Sequence, residues 1–469
     1  MQRKLIILLL ICSAYALAAL PATTTTWEVR PTNGSDNAGG CFIAGSSGTD
    51  RSQGTIFTAF TDLVIGGTTT QVTSVAHPFG ATDVGNCIQI ISGSGCTTGV
   101  FQVVSVASVT ATLDRSAGTA ASTCTANLGG ALQTITKLLT FIGNSNIAWI
   151  KAESTITTST GFTVAYGTNN GVAGQFNGYT STRGDNGKVT IQATAGSLTL
   201  WFDNGPNSIV FRNFILDSNS QTNSRGFRAT GQFITVIDVT ATNSTTGDFT
   251  FDSAFNTCLR CLSNGGTGFG YSMVGGSTCI YCGAVNHNNS TGFSLTGTLC
   301  FGCYAANNTG TGAIGFSLLT GGNSFDLLMN SVACGNASDG IRYAGGTFGQ
   351  QNSPIVMNNI STGNSGYGFN FNGGAAVAGT FVADYNAYFN NTLGALNNVT
   401  AGSHDVTMTA TPFNCAGTDF TLNNTAGAGA AIRTAGYPGA LPAGGTGFAP
   451  IGLLVPAAAA AGGTSAFVQ

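Results

Sequence analysis

Three Cys-x-x-Cys pairs recur at an interval of 21 residues, and that interval limits the fold of this chain more than any other feature. They are Cys258/Cys261, Cys279/Cys282 and Cys300/Cys303. Each is followed by a Ser- or Ala-containing segment with Asn and then by a Gly-Phe step, at Gly268-Phe269, Gly292-Phe293 and Gly315-Phe316. Self-similarity of this length means stacked units that bury one another's faces. The pattern continues where cysteine stops. Gly226-Phe227, Gly340-Ile341 and Gly368-Phe369 extend the Gly-Phe column, and Gly247-Asp-Phe249 fills its gap. A small-residue column runs through Asp217, Ala241, Ser263, Ala284, Ala305, Ala333, Ser361 and Ala387. Asparagine follows it at Asn219, Asn243, Asn286, Asn307, Asn336 and Asn364.

No helical period crosses these units, and they hold too little leucine for leucine-rich repeats. One coil of a β-solenoid fits them. Small side chains fill a tight corner, asparagine ladders down a turn, and Phe stacks over Phe on parallel strands ~4.8 Å apart. Composition agrees. Only 7% of residues are charged, against roughly 25% in ordinary soluble proteins. Yet no stretch after the first 20 residues is apolar enough to span a bilayer. A neutral surface of Thr, Ser and Asn with Gly corners suits a solenoid instead. The net charge of -3 leaves nucleic acid no electrostatic footprint.

The N-terminus reads MQRK and then an apolar run, Leu5–Leu20, with small residues at Ala14, Ala16, Ala18 and Ala19. That is a secretory signal over residues 1–22, cleaved near Ala18 or Ala22. Of 13 cysteines, its removal leaves an even set for an oxidising compartment, secreted or at the cell surface. The expected division is a small β-domain at 27–130, a transition with the first coils at 131–208, and β-helix repeats at 209–395. A terminal cap follows at 396–439, with Asp419–Leu422 as a last strand, and an Ala/Gly-rich tail at 440–469. Cys41, Cys87, Cys96 and Cys124 give the β-domain two disulfides. Cys87 with Cys96 is the simplest hairpin-bracing pair, and the pairing is otherwise open.

On the segments CLSNGGTGF, CYAANNTGTGAIGF, SVACGNASDGI and NISTGNSGYGF, the chain resembles the right-handed parallel β-helix proteins of the pectin-lyase-like superfamily. The segment Asp83–Gly118 is similar to the small β-domain that precedes the helix in phage-associated and bacterial surface members. The resemblance implies an all-β protein, a right-handed parallel β-helix behind a small β-rich N-terminal domain. It does not set an activity, because that fold hosts lyases, hydrolases, adhesins and phage tailspikes.

As a pattern, two Cys-x-x-Cys pairs 17 residues apart match a zinc site. In a strand, however, positions i and i+3 face opposite ways. Cys261, Cys282 and Cys303 are then expected inward and Cys258, Cys279 and Cys300 outward. Four sulfurs cannot converge on one zinc unless a corner falls inside the pair. Coils without cysteine keep the register through Val239, Ser331 and Asn359. The expectation is a ladder of thiols or cross-coil disulfides, with Cys334 and Cys415 taking up the remainder, and neither metal nor cofactor.

Polysaccharide chemistry on such a scaffold needs paired carboxylates, or a calcium-bound uronate with a Lys or Arg base. Beyond the signal the chain has three lysines (Lys137, Lys151, Lys188) and three histidines (His77, His287, His404). It lacks the Asp-Asp pair and Gly-His-Gly of polygalacturonase-like members, and the clustered acids of pectate-lyase-like ones. The catalytic candidates left are Asp248 with Asp252, and Asp339 with Arg342. Arg228 and Arg342 each follow a ladder residue by one, which places them in one column, three to five coils apart, as candidate ligand contacts. Against these stands the reading of corner charges solvating a neutral rod, and of His287 as a surface histidine. The shortage of paired acids argues against an enzyme. The expected role is structural or adhesive, with a polysaccharide or cell-surface glycan as partner, no nucleic acid and no membrane span after signal cleavage. The alternatives are a polysaccharide lyase or glycoside hydrolase with a divergent site, and a trimeric virion tailspike-like fibre. Oligomeric state is not legible.

Overall fold

The computed structural model describes residues 25–436 except 144, 165–173, 206–207, 320–325, 345–353, 373–381, 416–418 and 434. The expected signal segment and the 440–469 tail lie outside the described residues. Three sheets of 12, 11 and 10 strands run the length of the molecule, parallel throughout except where Cys41–Ile43 pairs antiparallel with Thr25–Val29. Each coil gives one short strand to each. Thr257–Leu259, Leu262–Gly266 and Phe269–Val274 form one coil, and Thr278–Ile280 starts the next directly above Thr257–Leu259.

The corner between the first and second sheets is a single residue in the left-handed region. Asn213, Asp238, Arg260, Tyr281, Gly302, Asn330, Asn358 and Tyr385 occupy it in successive coils, with φ between 52° and 64°. Arg260, Tyr281 and Gly302 are the third residues of the three Cys-x-x-Cys pairs, so the chain turns inside each pair. This overturns the expectation that Cys258, Cys279 and Cys300 face outward. All six thiols are buried and free, because the strand rule for i and i+3 does not survive a corner. Cys258, Cys279 and Cys300 stack in register below Leu328 and above Val236. The second thiol column continues beyond Cys303 as Ser331, Asn359 and Asn386, joined by hydrogen bonds from Cys303 N to Ser331 Oγ (3.2 Å), Ser331 N to Asn359 Oδ1 (2.9 Å) and Asn359 N to Asn386 Oδ1 (3.0 Å).

The other columns are close to expectation, with corrections. The aromatic column is Phe227, Phe249, Tyr271, Phe293, Phe316, Ile341 and Phe369. Gly270-Tyr271, not Gly268-Phe269, holds the register, and Phe269 lies exposed two residues earlier. From Phe249 to Phe316 the rings stack at centroid distances of 4.8, 4.5 and 4.8 Å. The small column runs Leu216, Ala241, Ser263, Ala284, Ala305, Ala333, Ser361 and Tyr388, so Asp217 and Ala387 sit one residue off it. The asparagines divide into two columns. Asn243, Asn286 and Asn307 are left-handed corner residues. Asn308, Asn336, Asn364 and Asn391 point inward and pass Nδ2–H to the next Oδ1 at 2.8, 2.9 and 2.8 Å. Backbone and amide donors that this corner would orphan are met this way.

Strand Thr25–Val29 pairs with Ile147–Lys151 in the first sheet. Between them is inserted a closed six-stranded barrel of strands Thr58–Ile65, Gln71–Thr73, Cys87–Ser92, Gly99–Ala107, Thr110–Leu113 and Thr123–Leu128. The barrel has its own core around Phe60, Phe79, Ile88, Phe101 and Leu128. Its disulfides are Cys41–Cys87 and Cys96–Cys124. The Cys87–Cys96 pair does not form, because the hairpin sets Cys87 opposite Gln102 and leaves Cys96 in the connecting loop. A short helix, Ile135–Leu139, places Ile135 and Leu138 in the solenoid core. Barrel and solenoid are bolted together by Arg183, which pairs with Glu28 (2.7 Å) and Asp50 (2.9 Å) and donates to Ser52 Oγ (2.8 Å).

The described part of the C-terminal segment folds back along the outer face of the second sheet, where Met408, Phe413, Phe420 and Ile432 cover Val285, Ala306, Val332, Ile360 and Ala387. Those outward positions are apolar and need covering. Cys334–Cys415 fastens the segment there. Asp419–Leu422 is not a strand; the last strand of the second sheet is Val406–Thr407.

Candidate functional site

The outer face of the third sheet carries the most regular polar array. In the residue after each aromatic rung the register runs Phe202, Arg228, Thr250, Ser272, Ser294, Ser317, Arg342, Asn370 and Asn397. Arg228 and Arg342 therefore do share a column, five coils apart, which at ~4.8 Å per coil is about 24 Å. Four hydroxyls fill the interval. They are visible in the sequence, where Ser or Thr follows the rung in Phe249-Thr250, Tyr271-Ser272, Phe293-Ser294 and Phe316-Ser317.

Each arginine is held by one carboxylate. Arg228 Nε donates to Asp252 Oδ2 at 2.7 Å, and its guanidinium lies 5.3 Å from the Phe202 ring centroid. Arg342 Nε donates to Asp339 Oδ2 at 2.6 Å, and Nη2 donates to Ser338 Oγ at 2.8 Å. Asp339 also accepts from Tyr367 N and Asn370 Nδ2, each at 2.8 Å. It is a saturated acceptor that fixes the arginine and the corner.

Asp248 and Asp252 do not come together. Asp252 faces solvent beside Arg228, whereas Asp248 is wholly buried. Asp248 stands in a column that is Gly226, Gly270, Gly292 and Gly315 in other coils, and a Cβ at Gly270 would lie 2.9 Å from Ala284 Cβ. Room exists because Ser263 replaces that alanine, and His287 replaces the inward asparagine. Ser263 Oγ donates to Asp248 Oδ2 at 2.5 Å and contacts His287 Nε2 at 2.7 Å. Burial raises the Asp248 pKa to about 7 and lowers that of His287 to about 4. Acid, hydroxyl and imidazole thus meet, but all three are fully buried and the serine lies between the other two. No substrate reaches them. His287 is a core residue at the foot of the asparagine ladder, its N–H bonded to Asn308 Oδ1 at 3.0 Å, not a surface histidine.

The thiols are sealed inside the solenoid. Burial pushes Cys258 up to about 12 and raises Cys261, Cys279, Cys282 and Cys303, which disfavours the thiolate that nucleophilic or metal-binding chemistry needs. Burial acts the same way on Cys300, but hydrogen bonds with Cys279 and Cys303 bring it down to about 6. Among the described residues no group of three or more His, Cys, Asp or Glu has the arrangement to hold a metal ion.

One strand per sheet per coil, three parallel sheets and single-residue corners settle the architecture. The chain is a parallel β-helix. Solved β-helix structures resemble it at low identity. Pectate lyase Pel9A is 13% identical with a TM-score of 0.43, the match covering 69% of this chain and 91% of that one. A rhamnogalacturonan lyase is 14% identical with a TM-score of 0.34, covering 59% and 83%. The catalytic domain of a GH87 α-1,3-glucanase in complex with nigerose is 11% identical with a TM-score of 0.29, covering 82% and 95%. No protein-family model matches the chain, and no curated sequence matches it significantly. At such values none of the neighbours' activities transfers to this β-helix. No helix of the described residues is long and apolar enough to cross a membrane.

Proposed function

We propose that this β-helix is an extracellular, non-catalytic polysaccharide-binding protein whose contact surface is the outer face of the third sheet. The observation that carries the reading is the column of half-exposed Thr250, Ser272 and Ser294 next to Arg228, which continues through the buried Ser317 to Arg342. Hydroxyls at ~4.8 Å intervals repeat at close to the length of a pyranose unit, so one chain of sugars could meet the same donor and acceptor set in every coil. Many weak, equivalent contacts along a rigid rod give avidity without a deep pocket. The three disulfides are compatible with an oxidising, extracellular setting.

The non-catalytic part rests on the acids. Asp248 is buried, Asp252 is committed to Arg228, and Asp339 is committed to Arg342, Tyr367 and Asn370. None stands opposite a second free carboxylate at the spacing of roughly 5–9.5 Å that glycoside hydrolysis uses. Incubation with a panel of uronate-containing and neutral polysaccharides is expected to release neither new reducing ends nor unsaturated products. Release of either, lost on Asp252→Asn or Asp339→Asn, would move the protein to the lyases or hydrolases.

A further inference from the structure

The first sheet carries a second surface, on the coils between Ile209 and Gly266. Its outward residues there are Val210 and Arg212, Thr235 and Ile237, and Thr257 and Leu259, by alternation of burial and Cα register. At one edge stand Phe233 and Phe255, 52% and 53% exposed, with left-handed φ of 60° and 61°. Their rings stack at 5.8 Å with planes 10° apart. A left-handed backbone is unfavourable for phenylalanine, and an exposed ring gains little from burial, so folding does not account for the pair. Strain of this kind is retained where the surface is used.

The opposite edge is cationic. Lys188, Asn213, Asp238 and Arg260 follow one another in the corner column, and Arg212 lies beside them on the sheet. Asp238 is taken by Arg260, Nε to Oδ1 at 2.8 Å and Nη2 to Oδ2 at 2.6 Å. Arg212 Nε is buried without a hydrogen-bond partner. Lys188 Nζ meets Thr240 Oγ1 at 3.0 Å. Among the described residues neither cation has a carboxylate partner. Burial lowers the pKa of both; the Asp238 carboxylate works against it at both, and the Arg260 charge lowers that of Arg212 further. Cations withdrawn from water are ordinarily paired. In a chain with 15 Lys and Arg among 469 residues, three of them share one corner with a single acid, Asp238.

We propose that this face binds an anionic oligosaccharide lying across the strands, with a sugar ring stacked on Phe233 and Phe255 and a carboxylate or sulfate ester further along the chain held by Arg212, Lys188 and Arg260. The two edges are separated by the four steps from Phe233 to Ile237, about 13 Å at ~3.3 Å per residue, so the ring and the anionic group belong to different sugar units. The choice of a glycan rests on the polysaccharide-binding reading, while the demand for an anion comes from Arg212 and Lys188 alone.

The test uses the full chain in isothermal titration at about 0.15 M ionic strength with dextran sulfate, polygalacturonate and neutral dextran. At least one anionic polymer is expected to bind about tenfold or more tightly than dextran. Arg212→Gln combined with Lys188→Gln is expected to remove that difference, and Phe233→Ala with Phe255→Ala to weaken it about fivefold. Preference between the two anionic polymers tells sulfate ester from carboxylate. Without ligand, Arg212→Gln is expected to melt no lower than wild type, since it removes an unpaired buried charge; this separates lost binding from lost folding. Equal binding of all three polymers, or anionic binding that survives the Arg212/Lys188 double variant, would overturn the site. A Ser272→Glu, Ser294→Glu variant on the third sheet is expected to leave anionic binding intact. If the anionic polymers fail while a neutral glycan still binds and is lost in that third-sheet variant, this inference falls and the polysaccharide-binding reading stands.

Discussion

Tyr271 shows how closely single residues are tuned to the column they occupy. Its ring is sandwiched between Phe249 and Phe293 at 4.8 and 4.5 Å, but its hydroxyl is buried with no hydrogen-bond partner. An unsatisfied buried hydroxyl costs about 1–3 kcal/mol. Tyr271→Phe keeps the stack and removes that cost, so it is expected to raise the unfolding free energy by about 1 kcal/mol in urea titration; a loss would mean the hydroxyl is satisfied. Asp203, Asp248 and Asp326 are likewise held inside, and burial raises each pKa from the ordinary 3.8 to about 7. Their folded forms keep a proton that the unfolded chain has lost. That stability is fully present below about pH 4 and disappears as pH climbs through 7. His287, lowered to about 4, works the other way and withdraws its contribution only as pH falls below about 6.5 toward 4. Three acids outweigh one histidine, so the thermal midpoint is expected to fall between pH 5 and pH 7.5; a rise over that range would contradict these burials.

Ladders are the unit of stability at the scale of elements. Asn336 accepts from Asn308 Nδ2 (2.8 Å) and donates to Asn364 Oδ1 (2.9 Å) and Ala305 O (3.1 Å). Asn336→Ala orphans buried groups on both neighbouring coils and is expected to cost about 2–3 kcal/mol, measurable by denaturant unfolding. The thiol ladder makes a chemical prediction. Cys258, Cys261, Cys279, Cys282, Cys300 and Cys303 should resist alkylation in the native protein and all react after unreduced unfolding. Mass mapping that finds any two of them joined would replace the ladder by cross-coil disulfides. The repeat was legible because Cys, Ala and Phe must recur wherever the interior recurs. Corners were less legible. A left-handed residue can be Asn, Gly, Arg or Tyr, as Asn213, Gly302, Arg260 and Tyr281 show, so no single letter marks the turn. Missing it inverted the facing of Cys258, Cys279 and Cys300 and merged two asparagine columns. The hydroxyl column and the Phe233/Phe255 edge escaped for another reason: outward side chains obey no packing rule, and Ser and Thr are common throughout this chain.

Taken whole, the molecule is a charge-poor rod with a barrel bolted to its first coils and its C-terminal segment laid along one of three faces. That leaves the first and third sheets as long outer faces. Glu28, buried under Arg183 and Tyr179, holds the arginine that reaches across to Asp50 and Ser52. Its burial raises its pKa to about 7 against the pull of Arg183. A rigid scaffold with regularly spaced hydroxyls suits extended contact with a polymer better than chemistry at a point. Affinity electrophoresis of wild type and the Ser272→Glu, Ser294→Glu variant through gels each containing one neutral polysaccharide tests this most directly. The expected result is retardation of the wild type by at least one polysaccharide, lost in the variant with the fold intact by circular dichroism. Retardation by none of a broad panel, or equal retardation of both proteins, would contradict it.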